Sequence, residues 1–300
     1  MTTTPDWPML DALARFARAE VAANDIEPWA ATLAELHRAG AFASTEEAHW
    51  AVALYNTYDG FGSAFGVLDR WPGPLGWSLA EDRDDVACFE CTQERRNLRG
   101  GRVVKRFASY ASLVGLDTQE AWLRRGLAGG SPAADFTLLT IWMRRVWGVG
   151  RQSAFEWAEF VAKVFGWAID CEDGQWWESE GPRRSLQRLY GNPTPSVGWL
   201  NDRAHECREW LASEQGVNLA WVDFETVICD FNVMRDGRYY VGRHLAALRE
   251  EIDAAPPAWR DPLEAAWKAV APGEWQGIAP GIDPEKMPVF ARTGEIVEAP

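Results

Sequence analysis

Three hundred residues, 47% of them apolar and 25% charged, can bury a substantial core and describe an ordinary globular chain. No apolar run approaches the roughly 18–20 residues that span a bilayer. "MTTTPDWPML" places no basic region ahead of an apolar stretch, so the expectation is a cytosolic chain with no signal peptide and no membrane partner. The net charge of −14 argues against nucleic acid until it is mapped along the chain. Residues 95–151 hold eleven Arg/Lys against three acids, a net of +8, which leaves −22 on the remainder. That asymmetry puts one basic face on an acidic body, as a polyanion-binding surface requires. Each arginine taken singly is explained equally well as a solvated helix exterior.

In chain order, "MLDALARFARAEVAAN", "EPWAATLAELHRAGAF" and "TEEAHWAVALYNTY" repeat apolar residues at helical spacing. Asp25 is the expected N-cap of the second, and Ser44 or Thr45 that of the third. "DGFGSAFGVLDRWPGP" sets a short helix between glycines and Pro72/Pro74. Cys88 and Cys91 form one C-x-x-C, but Cys171, His205, Cys207 and Cys229 supply no second tight pair, so no metal site is read here. An odd total of five cysteines likewise predicts no disulfide framework.

Beyond the basic "QERRNLRGGRVVKRFASYASLVG", helices are expected in "TQEAWLRRGLAG" and "SPAADFTLLTIWMRRVW". The second of these opens with a serine cap and a proline at its first position. "SAFEWAEFVAKVFGW" is a long helix, "GNPTPSVGW" a loop, and "DRAHECREWLASEQG" and "DFETVICDFNVMRDG" are helices, the last ending at Asp236-Gly237. From residue 271 glycine and proline dominate, which predicts an extended or disordered tail over 271–300. Strand signal is weak and internal repeats are absent, so the fold class is mainly α. Most of the eighteen tryptophans are expected to pack in the core.

The turn "GVGRQSAFEW" poses the functional question. A Rossmann turn needs a preceding strand and a third glycine, but "FTLLTIWMRRVW" is helical and Ser153 occupies that third position. No G-K-[ST] exists for a P-loop. A helix–hairpin–helix reading fits better. An apolar-Gly-apolar-Gly turn between two helices presents backbone N–H groups at the second helix's positive end, where a phosphate can sit. Gly148 and Gly150 permit close approach of a backbone, and Arg151 adds charge. A purely structural corner explains the motif, taken alone, equally well.

"WGVGRQSAFEWAEFVAKVFGWAID" resembles the hairpin and following helix of the helix–hairpin–helix base-excision DNA glycosylases. Those enzymes carry an aspartate at the mouth of the base pocket, and Asp170, 22 residues beyond Gly148, has the matching place. The lysine of their bifunctional members is replaced here by Gln152. Upstream, "HWAVALYNTYDGFGSAFGVLDRW" resembles the helix and loop with which they fill the gap left by an extruded base. Asn56, Thr57 and Tyr58 would then be wedge residues. This likeness covers roughly residues 45–175.

"WVDFETVICDFNVMRDGRYYVGRHL" resembles instead a segment of the phage amino acid:DNA transferases, also called α-glutamyl/putrescinyl-thymine pyrophosphorylases. "ALYNTYDGFGSAF", "GVGR", "ETVICDF" and "GRYYVGR" carry that resemblance. It implies one two-lobed, glycosylase-like helical catalytic domain over residues 1–270, with the hairpin at about 140–170. It also implies a phage-encoded enzyme acting in the host cytoplasm. The implied reaction replaces the pyrophosphate of 5-(pyrophosphooxymethyl)uracil in DNA with the amine of an amino acid or polyamine.

That chemistry sets requirements. The base must leave the stack, which asks for a phosphate grip (Gly148, Gly150, Arg151, with Arg144, Arg145 and Gln152 beside it) and a wedge. The leaving pyrophosphate needs cations, for which Arg183, Arg184, Arg238 and Arg243 are candidates, or a divalent metal such as Mg2+. The amine must attack neutral, so a carboxylate base is useful. Asp170 is the first choice, with Glu225 and Asp230 behind it. Cys229, one helical turn from Glu225, could add transiently to the pyrimidine, although a buried inert cysteine is the ordinary role of that residue type. Cys171 is the lesser alternative. His205 and His244 show no partner triad. Two other readings remain open: a monofunctional DNA glycosylase using Asp170, and a non-catalytic DNA-binding module.

Overall fold

The computed structural model describes residues 5–92, 96–172 and 175–273, so the expected tail lies, beyond Gly273, outside the described residues. Among the described residues the secondary structure is helical throughout and contains no strand. The α-helices are α1 (Trp7–Ala23), α2 (Pro28–Arg38), α3 (Thr45–Tyr58), α4 (Phe61–Arg70), α5 (Pro74–Leu79), α6 (Gly101–Val114), α7 (Gln119–Arg124), α8 (Pro132–Met143), α9 (Arg151–Phe165), α10 (Glu180–Tyr190), α11 (Val197–Ser213), α12 (Trp221–Arg235), α13 (Arg243–Ala254) and α14 (Pro257–Val270). A mainly α fold is what the sequence predicts.

Local chemistry starts these helices where the sequence says it should. Ser44 accepts from the Glu47 amide at 3.1 Å ahead of α3, and Ser131 accepts from Ala134 at 3.2 Å ahead of α8, with Pro132 behind it. Asp25 departs from expectation. Rather than capping α2, its buried carboxylate accepts from the Gly242 and Leu245 amides at 2.6 and 2.8 Å. It therefore caps α13, more than two hundred residues away, because only the folded chain brings those orphan donors beside it.

The described residues divide into two compact units. The first comprises, among the described residues, 5–28, Cys171–Ala247 and 271–273. Its α1 packs on α12, where the Phe16 and Phe231 rings lie 5.8 Å apart, and α12 packs on α10. The α10–α12 seam is tight, since a Cβ on Gly181 would lie 2.6 Å from the Cys229 sulfur. The second unit comprises Trp29–Asp170 and Leu248–Val270. Its middle is α3, packed on α4 and α9, with α6, α7 and α8 completing the core around Trp50, Phe107, Tyr110, Trp122 and Trp157.

Each unit thus has one helix enclosed along most of its length. In α3 every residue from Ala48 to Tyr58 is buried, and in α12 nearly every residue from Val222 to Asn232 is. Polar side chains on such a helix have no solvent to face and must find partners inside.

Candidate functional site

The second unit holds the glycine turn. α8 ends at Met143, and residues 144–150 lead to α9 with Gly150 as its N-cap. Val146 and Val149 point into the core, at 1% and 7% exposure, while Gly148 and Gly150 are exposed. Gly148 has φ +79°, where an L side chain is strained. A Cβ there would also lie 3.2 Å from Leu98, whereas Gly150 has open space around it. The alternation buries the valines as anchors and leaves the glycine backbone outside. Around the turn, Trp147 lies under the Lys105 ammonium at 4.4 Å, Arg145 lies over Trp142 at 4.1 Å, and Arg151 lies over Phe155 at 4.6 Å. Arg144 is exposed, and exposed Gln152 donates to Glu156 at 2.9 Å. The half-buried Asp170 donates its backbone N–H to the carbonyl of Pro132, at the start of α8.

The proposed wedge does not survive in that form. Asn56, Thr57 and Tyr58 are 3%, 1% and 0% exposed, and a wedge must stand at the surface. They serve the interior instead. Asn56 donates to the Ser153 carbonyl at 2.8 Å, inside the first turn of α9, and accepts from the buried Arg106 guanidinium. Thr57 donates to the Ala53 carbonyl, and Tyr58 to that of Val86, both at 2.8 Å. Of the three, Asn56 braces the first turn of α9 from beneath, beside the glycine turn. Sequence periodicity missed this because α3 is buried on every side from Ala48 to Tyr58, so no stripe marks the inward face.

The first unit holds a second constellation, of opposite character. Tyr239 Oη donates to Asp25 Oδ2 at 2.8 Å and lies 3.1 Å from Glu20 Oε1. His244 Nδ1 is 3.4 Å from the same hydroxyl, 3.1 Å from the Asp25 carbonyl and 3.9 Å from Asp230 Oδ2. Glu20, Asp25, Asp230 and Tyr239 are all buried. Burial, joined by the charges of Asp25 and Asp230, holds the Glu20 carboxyl well above the usual carboxylate range. The phenolic O–H faces both carboxylates and lies closer to Asp25 than to Glu20. Burial also pushes Asp230 up to about 6, against the pull of His244 and with a further push from Asp25 and Glu225.

Glu225, the candidate from "ETVICDF", joins this cluster through its influence on Asp230, and accepts from Ser179 Oγ at 3.0 Å. Cys229 lies half-buried in the α10–α12 seam. Of the arginines, Arg183 donates to the Trp177 carbonyl at 2.9 Å, Arg184 pairs with Glu180 at 2.6 Å, and Arg243 donates to the Arg238 carbonyl at 2.8 Å. Asp236 ties the two groups, with Arg188 on it at 3.1 Å and Arg238 at 3.3 Å. Arg184, Arg188, Gln187, Gly191 and Pro193 line an open groove of about 480 Å3. Among the described residues, no group of three or more His, Cys, Asp or Glu is arranged to hold a metal ion.

Sequence reasoning missed Glu20, Asp25, Tyr239 and His244. His244 has the partners its sequence context did not reveal. Two signals were available: Glu20 is a carboxylate on the apolar stripe of α1, three and four residues past Ala17 and Phe16, and Tyr239 lies inside "GRYYVGR".

The family model described as amino acid:DNA transferase (ADDT) matches residues 21–238. No curated protein matches the chain. The matched span contains α3, the glycine turn, α10, α12 and all of the first cluster's residues except Glu20, Tyr239 (one residue past the match) and His244. No helix among the described residues is long and apolar enough to cross a membrane.

Proposed function

The chain belongs to the amino acid:DNA transferase family, whose members are transferases acting on DNA, and from that premise we propose that it hypermodifies a pyrimidine base. In this reading the substrate is 5-(pyrophosphooxymethyl)uracil in phage DNA, and residues 1–270 act as one catalytic domain. The amine of an amino acid or polyamine forms a C–N bond to the 5-methylene carbon. The C–O bond breaks, its electron pair leaves with pyrophosphate, and the surplus ammonium proton passes to a carboxylate.

The observation that carries this reading is the exposed glycine backbone of the turn at Gly148 and Gly150, held by buried Val146 and Val149 at the start of a fifteen-residue helix. In a helix–hairpin–helix role, that turn grips a DNA phosphate while Arg151, Arg144, Arg145 and Gln152 add charge and hydrogen bonds. Asn56 positions the turn through Ser153, with Thr57 and Tyr58 securing the helix that bears it. Arg183 and Arg184 on α10, with Arg238 and Arg243, supply cations for the departing pyrophosphate. A Mg2+ ion held through the pyrophosphate oxygens would share that task with the arginines. Asp170, Glu225 and Cys229 are the candidate catalytic groups. A monofunctional glycosylase is the second reading, favoured by the place of Asp170 beside the start of α8.

The test offers DNA containing 5-(pyrophosphooxymethyl)uracil to the protein with amino acids and polyamines, digests it to nucleosides and reads their masses. A nucleoside heavier by one amine donor and lighter by pyrophosphate supports the transfer. Free base with abasic sites moves the reading to a glycosylase, and unchanged DNA that is nonetheless bound leaves a binding module.

A further inference from the structure

The buried network of the first unit holds more negative charge than its own partners answer. Glu20 on α1, Asp25 in the α1–α2 connection, and Glu225 and Asp230 on α12 converge there. Tyr239, His244 and Arg243 face them from the stretch after α12. On the α10 side, Ser179 serves Glu225, and Arg188 is committed to Asn232 and Asp236.

Two of the acids are satisfied. Asp25 accepts from the Gly242 and Leu245 amides and from Tyr239, and Glu20 accepts from Tyr239 at 3.1 Å. Asp230 differs. It is only 9% exposed, its Oδ2 is shut off from solvent without a hydrogen-bond partner, and the His244 Nδ1 atom is 3.9 Å away, beyond bonding distance. A buried carboxylate oxygen without a donor costs stability that folding alone does not return. Such a group belongs with a ligand that brings N–H donors and positive charge.

We propose that Asp230 and His244 form the receiving site for the amine donor, which enters as a primary ammonium and docks on Asp230 Oδ2. A compact ammonium brings three donors and no acceptor, which suits a buried cluster rich in carboxylates. Arg243 stands near enough to Asp230 to act on its charge and is the cation available for a donor's own carboxylate. The Asp230 carboxylate then takes one ammonium proton, becoming a carboxylic acid and leaving the neutral amine that the transfer requires. The assignment of that amine as the nucleophile rests on the transfer reaction proposed above.

The site is tested without DNA, on the full-length protein, by calorimetric titration with glycine, with putrescine and with acetate as control. The expected result is saturable binding of glycine or putrescine but not acetate, tightening as pH rises through about 6, where Asp230 ionises. Asp230→Asn should weaken that binding at least about 30-fold with no lower melting midpoint, and Asp230→Glu should restore part of it. Preference for glycine, lost in Arg243→Gln, identifies an amino-acid donor; preference for putrescine identifies a polyamine. Absence of saturable binding, or equal binding by Asp230→Asn, overturns the site. Failure of the reaction is separable. Donor binding with no new nucleoside upholds the site and removes the reaction, whereas a new nucleoside made with the same donor KM by Asp230→Asn upholds the reaction and removes the site.

Discussion

α3 and α12 are each enclosed by the unit they belong to, yet they carry polar residues to different ends. On α3, Asn56 and Thr57 are neutral and direct hydrogen bonds at backbone carbonyls, Asn56 at Ser153 in the first turn of α9, so the helix stiffens the glycine turn beside it. On α12, Glu225 and Asp230 are carboxylates, and Asp230 keeps an oxygen that nothing in the fold satisfies. At similar depth, a satisfied amide builds architecture, while an unsatisfied acid stores an interaction for something else. His49, also on α3, shows the inert alternative. It stacks on Phe165 at 3.8 Å, and burial lowers it to about 3, so it remains a neutral core residue at physiological pH.

The strongest break in this comparison is Asp25→Ala, which strips the α13 cap and leaves the Gly242 and Leu245 amides without their acceptor. We expect a loss of about 3 kcal/mol, read from the urea midpoint; a change under about 1 kcal/mol would mean the cap is dispensable. Asn56→Ala should cost about 2 kcal/mol, because the Ser153 carbonyl loses its donor and buried Arg106 loses an acceptor. An exposed wedge would instead lose DNA binding at unchanged stability.

Gly148→Ala should cost about 1 kcal/mol through its left-handed backbone and weaken DNA binding by more than that strain explains. Folded protein with wild-type affinity in a filter-binding assay would remove the hairpin from the DNA interface.

Acidification sharpens the α12 side. Asp230's folded value of about 6 lies above its ordinary 3.8. The stability linked to it is therefore full below the unfolded value and lost as pH rises through about 6. Between roughly pH 7 and 5 the protein should gain about 1 kcal/mol from this group, and Asp230→Asn should remove that slope. Glu251, pushed up to about 7 by burial where it accepts from Phe61 and Trp29, adds a slope of the same sign, which Glu251→Gln isolates. An unchanged slope in Asp230→Asn would show that Asp230 is not the group responsible. The smallest structural effect is expected for Arg184→Ala, whose pairing with Glu180 is exposed. Its melting point should not move, but turnover should fall if the guanidinium meets pyrophosphate.

The sequence by itself determined the helical class, the serine caps of α3 and α8, and the glycine turn, because each rests on interactions within a few residues. Periodicity, a cap three residues from its amide, and a glycine at positive φ are local facts. Glu225 and the arginine pairs were singled out only through the chemistry that the family resemblance implies. Only the tertiary structure decided that Asn56, Thr57 and Tyr58 face inward, that Asp25 caps α13 rather than α2, and that Glu20, Tyr239 and His244 meet Asp230. Those partners are separated by up to some two hundred residues, and nothing local encodes which buried carboxylate will find which donor. Burial decides charge, and burial belongs to the folded chain.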